Sequence, residues 1–365
     1  MRINILDAGL HNFAGHHLDY DRKLARRFSE LGHEVRIYGY VGMSEDVEKD
    51  LLNHGKVGKI FRAFHYDIPH RKDRYAGALI LYDEHTGTLS EDLKEVEEAD
   101  LWIWPTLLAQ QLNACAQFAG AAPVVGCIHQ DPGIEQRTPE AMLWRHAMVE
   151  ARRRGLRSTV GSVEPEMRHR FMSIVPDGRF VLFPQPHDGS SIAEAKTSLR
   201  RIGFLGDFRR EKGRELVGPL ANRLLREGYD VLIQDSNDRL KVGEHPRVEV
   251  LGHVENMSDA IARCDLVVLS YDVEIYRGRG SGILSDCLAT GVPVVGPWGT
   301  IPGKVIEQWG VGALFANDTE AEVFAAVKFA HRNYAAFAEA AFRAASRYAR
   351  HNGTDRFAKA LLQFA

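Results

Sequence analysis

A glycine-rich turn between a buried strand and a helix constrains this chain more than any other feature. Asp265-Leu-Val-Val-Leu-Ser270 is an apolar run of strand length. It leads into Tyr276-Arg-Gly-Arg-Gly-Ser-Gly-Ile-Leu-Ser-Asp-Cys-Leu-Ala-Thr-Gly-Val-Pro-Val-Val295. Ile283, Leu284, Cys287 and Leu288 recur there at helical spacing, Gly291 stops the helix, and Val292-Pro-Val-Val295 reads as the next parallel strand. Gly280, Ser281 and Gly282 therefore open the helix, where unpaired backbone N–H groups and the positive end of the dipole favour an anion such as a phosphate. Asp286 follows one turn in, on a face that can look back along the loop. By itself such a turn is equally satisfied by a tight connection with no ligand.

With 365 residues, 45% of them hydrophobic and 26% charged, the chain has the core of an ordinary globular protein and the length of two domains. A net charge of -3 argues against a dedicated nucleic-acid binder. Cys115, Cys127, Cys264 and Cys287 occur singly in apolar settings, the pattern of reduced core thiols in a cytoplasm. Met1-Arg2 passes straight into Ile3-Asn-Ile-Leu6, and no apolar span of about 18 residues occurs, so the chain is expected to be neither exported nor membrane-spanning.

Arg2-Ile-Asn-Ile-Leu-Asp7 reads as a first strand, the face Leu18, Leu24, Ala25, Phe28 and Leu31 as a helix ending at Gly32, and Val35-Arg-Ile-Tyr38 as the next strand. This is a β-α-β unit, and its link Gly9-Leu-His-Asn-Phe-Ala-Gly-His-His17 lies at the carboxyl end of a strand, where open α/β sheets bind ligands. Gly15 and His16 are candidates there. His16 and His17 are not read as a metal pair, because neighbours on a helix point apart. Residues 41 to 100 mix acidic and basic residues around a His-rich patch at His65 and His70, and read as a helix, a strand and exposed loop. Leu101-Trp-Ile-Trp104 and Pro123-Val-Val-Gly-Cys-Ile128 read as buried strands flanking a helix at 106 to 118. The second ends in His129-Gln-Asp-Pro-Gly133, which puts His129 at the ligand edge, able to donate to a ligand hydroxyl or a developing charge. A capping or core histidine is the plainer role.

Helices at 138 to 153 and 164 to 172 and a strand Phe180-Val-Leu-Phe183 complete this half; Arg152-Arg-Arg154 is read as a solvated face. Residues 186 to 199 shift to Pro, Gly and Ser and form the expected linker. The second half repeats the grammar: Arg201-Ile-Gly-Phe-Leu205 as a strand, the turn Gly206-Asp-Phe-Arg-Arg-Glu-Lys-Gly213, a helix from about 214 to 227, then strands at 230 to 233 and 248 to 251. From Glu320 the chain is helical and alanine-rich.

The register of 276 to 295 resembles the donor signature of family 4 of the retaining glycosyltransferases ("glycosyl transferases group 1"), whose helix carries an acidic residue, small residues and Gly-x-Pro-Val-Val. Asp286 matches the second glutamate of that family, which holds the nucleotide ribose. Its first glutamate falls at Gly278, with Glu274 the nearest carboxylate. The turn 206 to 213 matches Gly-Arg-x-x-x-x-Lys-Gly, the clamp for the donor diphosphate. Lys212 and Gly213 fall in place, Asp207 stands at the arginine position, and Arg209 or Arg210 could supply the charge. The link with Gly15 and His16 matches the family's N-terminal glycine-rich loop, and His129 with Asp131 its Val-x-x-x-His-Asp segment, with Gln130 inserted. Gly299-Thr-Ile-Pro302 and Val311-Gly-Ala-Leu314 fit the pattern too.

The resemblance implies an α/β protein of the GT-B fold: two Rossmann-like domains facing across a cleft, with C-terminal helices crossing back to the first. The expected boundaries are 1–185 for an acceptor domain, 186–199 for the linker, 200–335 for a nucleotide-sugar domain and 336–365 for the helices. The implied reaction is retaining, metal-independent transfer of a sugar from a nucleoside-diphosphate donor, UDP- or GDP-sugar, to a hydroxyl of a glycan, a lipid-linked or a small-molecule acceptor, as in polysaccharide biosynthesis. No cofactor is implied, and peripheral contact with the inner face of a membrane stays open. The implied catalytic residues are His129, Lys212 and Arg209. Gly15, His16, Asp207, Arg210, Glu274, Arg279, Gly280, Ser281, Gly282 and Asp286 are the implied donor contacts. Asp19-Tyr-Asp21 is not a metal motif, since i and i+2 on a helix do not face each other. Alternatives are a nucleotide-sugar epimerase on the same fold, and a non-catalytic nucleotide-sugar binder motivated by the departures at Gly278 and Asp207. A glycoside hydrolase would need two opposed carboxylates that the sequence does not offer.

Overall fold

The computed structural model describes residues 1–12, 17–67, 74–118, 122–129, 139–175, 178–187, 196–206, 209–235, 240, 244–252, 254 and 256–365. The chain forms two compact units, 1–186 with 354–365, and 187–353.

The first unit is built on seven strands: β1 (Arg2–Asp7), β2 (Glu34–Tyr40), β3 (Lys56–Phe61), β4 (Leu101–Trp104), β5 (Val124–Cys127), β6 (Ser158–Ser162) and β7 (Phe180–Leu182). They pair in parallel in the order β3-β2-β1-β4-β5-β6-β7. A parallel sheet covered by helices needs apolar side chains on both faces, and Leu101 to Trp104 and Val124 to Cys127 are buried throughout. Ile3, Ile5, Phe28, Ile37, Leu101 and Val125 share one core with Phe357 and Leu361 of the C-terminal helix Thr354–Leu362. The strand order reverses between β1 and β4, which places the ligand edge of this sheet after Asp7 and Trp104.

The second unit carries β8 (Arg201–Phe204), β9 (Asp230–Gln234), β10 (Val248–Leu251), β11 (Leu266–Val268), β12 (Val294–Pro297) and β13 (Gly312–Phe315), parallel in the order β10-β9-β8-β11-β12-β13. Its order reverses between β8 and β11, the two strands that feed the turns at 206 to 213 and 270 to 282. The helix Arg214–Arg226 buries Val217, Leu220, Leu224 and Leu225, each worth roughly 1.5–3 kcal/mol of apolar transfer.

Two expectations change. Only 354–365 packs with the first unit; the helix Tyr334–His351 stays with the second, where Ala341, Ala344 and Tyr348 share a core with Cys287 and Leu288. Its small residues let it lie close against the helix Gly282–Thr290: a Cβ on Gly291 would stand 3.4 Å from Cβ of Ala345. The stretch 41–100, read as a helix, a strand and exposed loop, holds the helix Glu45–Leu51, the strand β3 and a further 19-residue helix, Arg74–Asp92, whose inward side includes Tyr82, His85, Thr86 and Asp92. That face is too polar to give an apolar period. All four cysteines are buried free thiols. No helix among the described residues is long and apolar enough to cross a membrane.

Candidate functional site

In the second unit, two connections meet beyond the carboxyl ends of β8 and β11. Gly206, with φ of +106°, donates its N–H to the Gln234 side chain at 2.7 Å. Arg210–Lys212 form one 3-10 turn, and Gly213 (φ +74°) starts the helix Arg214–Arg226. A left-handed glycine is required there, because the loop presses on the end of β11: a Cβ on Gly213 would stand 2.0 Å from the Ser270 carbonyl oxygen. Ser270 Oγ donates to the Lys212 carbonyl at 2.9 Å, and Asp272 N–H to the Glu211 carbonyl at 3.0 Å. The Lys212 ammonium comes within 3.4 Å of where a Cβ on Gly206 would stand, and Ile283 Cγ1 lies at the same distance from that point. Lysine, bare glycine and the first turn of the helix Gly282–Thr290 are thus gathered at one spot. Such a grouping offers a cation and backbone N–H groups to an anion.

Around it, Arg209 Nε lies 3.1 Å and Arg279 Nη1 3.8 Å from one oxygen of Glu211. Tyr271 and Tyr276 stack with ring centres 4.0 Å apart. Tyr271 reaches Ser281 Oγ at 3.0 Å, while Ser281 accepts from the Leu284 N–H at 3.2 Å. Ser281 is therefore the buried N-cap of the helix rather than an open hydroxyl. Gly280 and Asp286 are partly buried, Gly282 and Arg210 exposed. The Asp286 carbonyl accepts from Thr290 Oγ1 at 2.7 Å. Glu274 sits on the short turn Val273–Tyr276, mostly exposed, paired with Arg277 at 3.0 Å. Gly15, His16, Gln130, Asp131 and Asp207 lie outside the described residues.

The first unit holds a polar cluster at its own ligand edge. His17 opens the helix His17–Glu30 and is buried, with Nδ1 2.8 and 2.7 Å from the two oxygens of Asp7, the last residue of β1. Gly9 N–H donates to the same carboxylate at 2.8 Å. Gly9 also makes room for the ring, since a Cβ there would stand 2.3 Å from His17 Cε1. His17 Nε2 lies 2.6 Å from the Tyr66 hydroxyl. Burial would raise Asp7, but His17, His65 and the Gly9 N–H together hold its carboxyl below the usual range. His65 packs edge-on to His17 and Tyr66, and burial pushes it down to about 3, so its ring is neutral. Asp21, fully buried, is pushed well above the ordinary carboxyl range by burial and then by Asp7. His129 spends Nε2 on the Pro105 carbonyl at 2.9 Å and lies perpendicular to the Tyr20 ring; burial lowers it to about 4. Among the described residues no three His, Cys, Asp or Glu side chains are grouped so as to hold a metal ion.

Asp7, His17, His65 and Tyr66 were not singled out as site residues by the sequence reading. The available signal was an aspartate ending the first strand, a glycine two residues on and a histidine at the helix start.

The sequence matches no protein-family model. A comparison with curated proteins gives no match. Solved structures are similar over the whole chain. The glycosyltransferase SnogD from Streptomyces nogalater is 18% identical with a TM-score of 0.62, over 100% of this chain and 99% of that one. Sucrose-phosphate synthase from Thermosynechococcus elongatus is 12% identical with a TM-score of 0.68, over 100% and 98%. HepE from Anabaena, solved in complex with UDP, is 15% identical with a TM-score of 0.67, over 100% and 99%. The fold is the two-domain, Rossmann-like GT-B fold of glycosyltransferases.

Proposed function

We propose that this protein is a glycosyltransferase that moves a sugar from a nucleoside-diphosphate donor to a hydroxyl of a glycan, lipid-linked or small-molecule acceptor. The observation that carries the reading is the meeting of Lys212, Gly206 and the N-terminus of the helix Gly282–Thr290 at the switch point between β8 and β11. A departing diphosphate gains negative charge as the glycosidic bond breaks. Lys212 and the N–H groups at 280 to 282 would neutralise it, with Arg209, Arg210 and Arg279 alongside. Glu211, which faces Arg209 and Arg279, keeps both guanidinium groups oriented until phosphate oxygens replace it. Asp286 is assigned to the ribose and His129 to the sugar. Gly15, His16 and Asp207 are assigned to the donor on the sequence alone. Glu274 would have to leave Arg277 to take part. Retention and metal independence follow the family 4 resemblance at 200 to 315, and structures of HepE with UDP and with UDP-glucose support a uridine donor.

The test is turnover of the glucose derivatives of UDP, GDP, ADP, CDP and dTDP, in EDTA and in magnesium. Proton NMR then reads the anomeric configuration of the product. Turnover in EDTA with the donor's configuration kept supports the full reading. Binding of a nucleotide with no turnover supports the non-catalytic alternative, and a free epimer supports the epimerase.

A further inference from the structure

A cavity that the donor reading does not use lies in the second unit, at the amino ends of β9 and β10. Its volume is about 380 Å³, and it is lined by Asn222, Leu225, Arg226, His245 and Arg247. The helix Arg214–Arg226 runs from the carboxyl edge of the sheet, beside Lys212, to this opposite edge, roughly 20 Å away at 1.5 Å per residue. Asn222 and Arg226 stand one turn apart on its exposed face. The other wall is a turn, in which the His245 carbonyl accepts the Val248 N–H at 2.9 Å and Pro246 takes the second position. Val231 N–H donates to the Arg247 carbonyl at 2.8 Å, which fixes this wall to β9.

One cation at a helix C-terminus has a structural use, because the last carbonyls carry the negative end of the dipole. Arg247 fills it: its Nη2 donates to the Leu225 carbonyl, which also takes the Gly228 N–H at 3.1 Å. Arg226 is left over. Among the described residues neither arginine is paired with a carboxylate. Glu227 is engaged with Lys328 at 3.1 Å and Asp230 with Arg200 at 2.9 Å, while the exposed Glu244 pairs with neither arginine. The Arg247 N–H points at His245 Nδ1 at 3.1 Å, so Nδ1 accepts and Nε2 is a donor. Two guanidinium groups, an imidazole N–H and a side-chain amide thus share one cavity with a single apolar residue, Leu225. Like charges held together in this way repel until an anion lies between them, and the guanidinium fork matches phosphate oxygens.

We propose that this cavity binds a small phosphate monoester, with Arg226 and Arg247 on the phosphate oxygens, His245 Nε2 donating to the same group and Asn222 facing the body of the ligand. The volume is near the lower end for small-molecule sites. It leaves room for a small polar body, and Leu225 alone gives little apolar wall for an aromatic base. The site is separate from glycosyl transfer and does not depend on that reading.

Calorimetry in phosphate-free buffer with glycerol 3-phosphate, inorganic phosphate and acetate tests it, on the parent, Arg226→Gln, His245→Ala and Lys212→Ala, with thermal melts alongside. Glycerol 3-phosphate is expected to bind the parent at one site per chain, more tightly than either other anion. Arg226→Gln, at an exposed position with no partner to lose, keeps the melting temperature and weakens binding by roughly 10- to 100-fold. His245→Ala weakens it less, and Lys212→Ala binds as the parent does. No binding by the parent, or equal binding by Arg226→Gln, overturns the site. Loss of binding in Lys212→Ala places the ester at the donor turn and overturns it too. Inorganic phosphate or acetate binding more tightly than the ester overturns the ligand assignment. Absence of sugar transfer from any nucleotide leaves the site standing.

Discussion

Gly213 presses so closely on Ser270 that the two chain segments are interlocked: a Cβ at Gly213 would stand 2.0 Å from the Ser270 carbonyl oxygen, and Ser270 Oγ returns a hydrogen bond to the Lys212 carbonyl. The turn that presents Lys212 is therefore fixed by the end of β11. Gly213→Ala adds a left-handed penalty of roughly 1–2 kcal/mol to this collision. Thermal unfolding of the variant is expected to fall by several degrees, with nucleotide affinity reduced. A variant that melts and binds like the parent would show that the contact is slack.

Lys212→Ala separates the charge from the scaffold. Removing one charge-assisted hydrogen bond costs about 1.5–3 kcal/mol, or roughly 10- to 150-fold in affinity for the nucleoside diphosphate. Calorimetry should show this weakening while the melting temperature without nucleotide stays within a few degrees. Unchanged affinity would remove Lys212 from the site.

Asp265 anchors the start of β11. Its carboxylate accepts from the N–H groups of Arg200 and Arg201 at 2.8 and 2.7 Å and pairs with Lys196 at 2.7 Å. Asp265→Ala leaves two backbone donors without that partner, at about 1–3 kcal/mol each where water cannot reach. A loss of stability in this range is expected by urea titration, and a loss under 0.5 kcal/mol, about the size of a neutral surface change, would contradict it.

His65 gives the first unit a pH dependence of known sign. Its folded value is about 3 against an unfolded value near 6.5, so below pH 6.5 the unfolded chain binds a proton that the folded chain does not. Stability contributed by the neutral ring is complete above pH 6.5 and falls with pH toward 3, by on the order of 2 kcal/mol at pH 5. His129, lowered to about 4, adds in the same direction; Glu164, raised by burial to about 7, and Asp21 work in the opposite one. Melting curves from pH 7 to 5 should therefore be less acid-sensitive in His65→Gln than in the parent. Parallel curves would mean that His65 is protonated in the folded state.

Much of the scaffold was legible because parallel strands and helix stops are written locally. Leu266 to Leu269 and Val292 to Val295 are apolar runs, and Gly213 and Gly291 mark turns with positive φ. The gathering of Lys212 with the helix at 282 is not local, since it depends on β8 and β11 being neighbours. Asp7 and His17 were harder still. Ten residues apart, they meet because β1 ends where the helix begins, and no spacing rule aims a strand-end carboxylate at a ring beyond a loop. Within 41–100 the helix Arg74–Asp92 could not be placed from the sequence, because its buried side chains include His85, Thr86 and Asp92, which resemble a solvated segment until Asp67 is seen to pair with His85 and Arg62 with Asp92.

The most direct measurement is a thermal-shift panel with UDP, GDP, ADP, CDP and dTDP, with and without magnesium, on the parent and on Lys212→Ala. A nucleotide at about 100 times its dissociation constant adds roughly 2.7 kcal/mol, several degrees for a unit of this size. The account predicts that one nucleotide raises the transition without magnesium and that the Lys212→Ala shift at the same concentration is much smaller. No shift with any of the five, or an equal shift in both proteins, would contradict a diphosphate site at the meeting of β8 and β11.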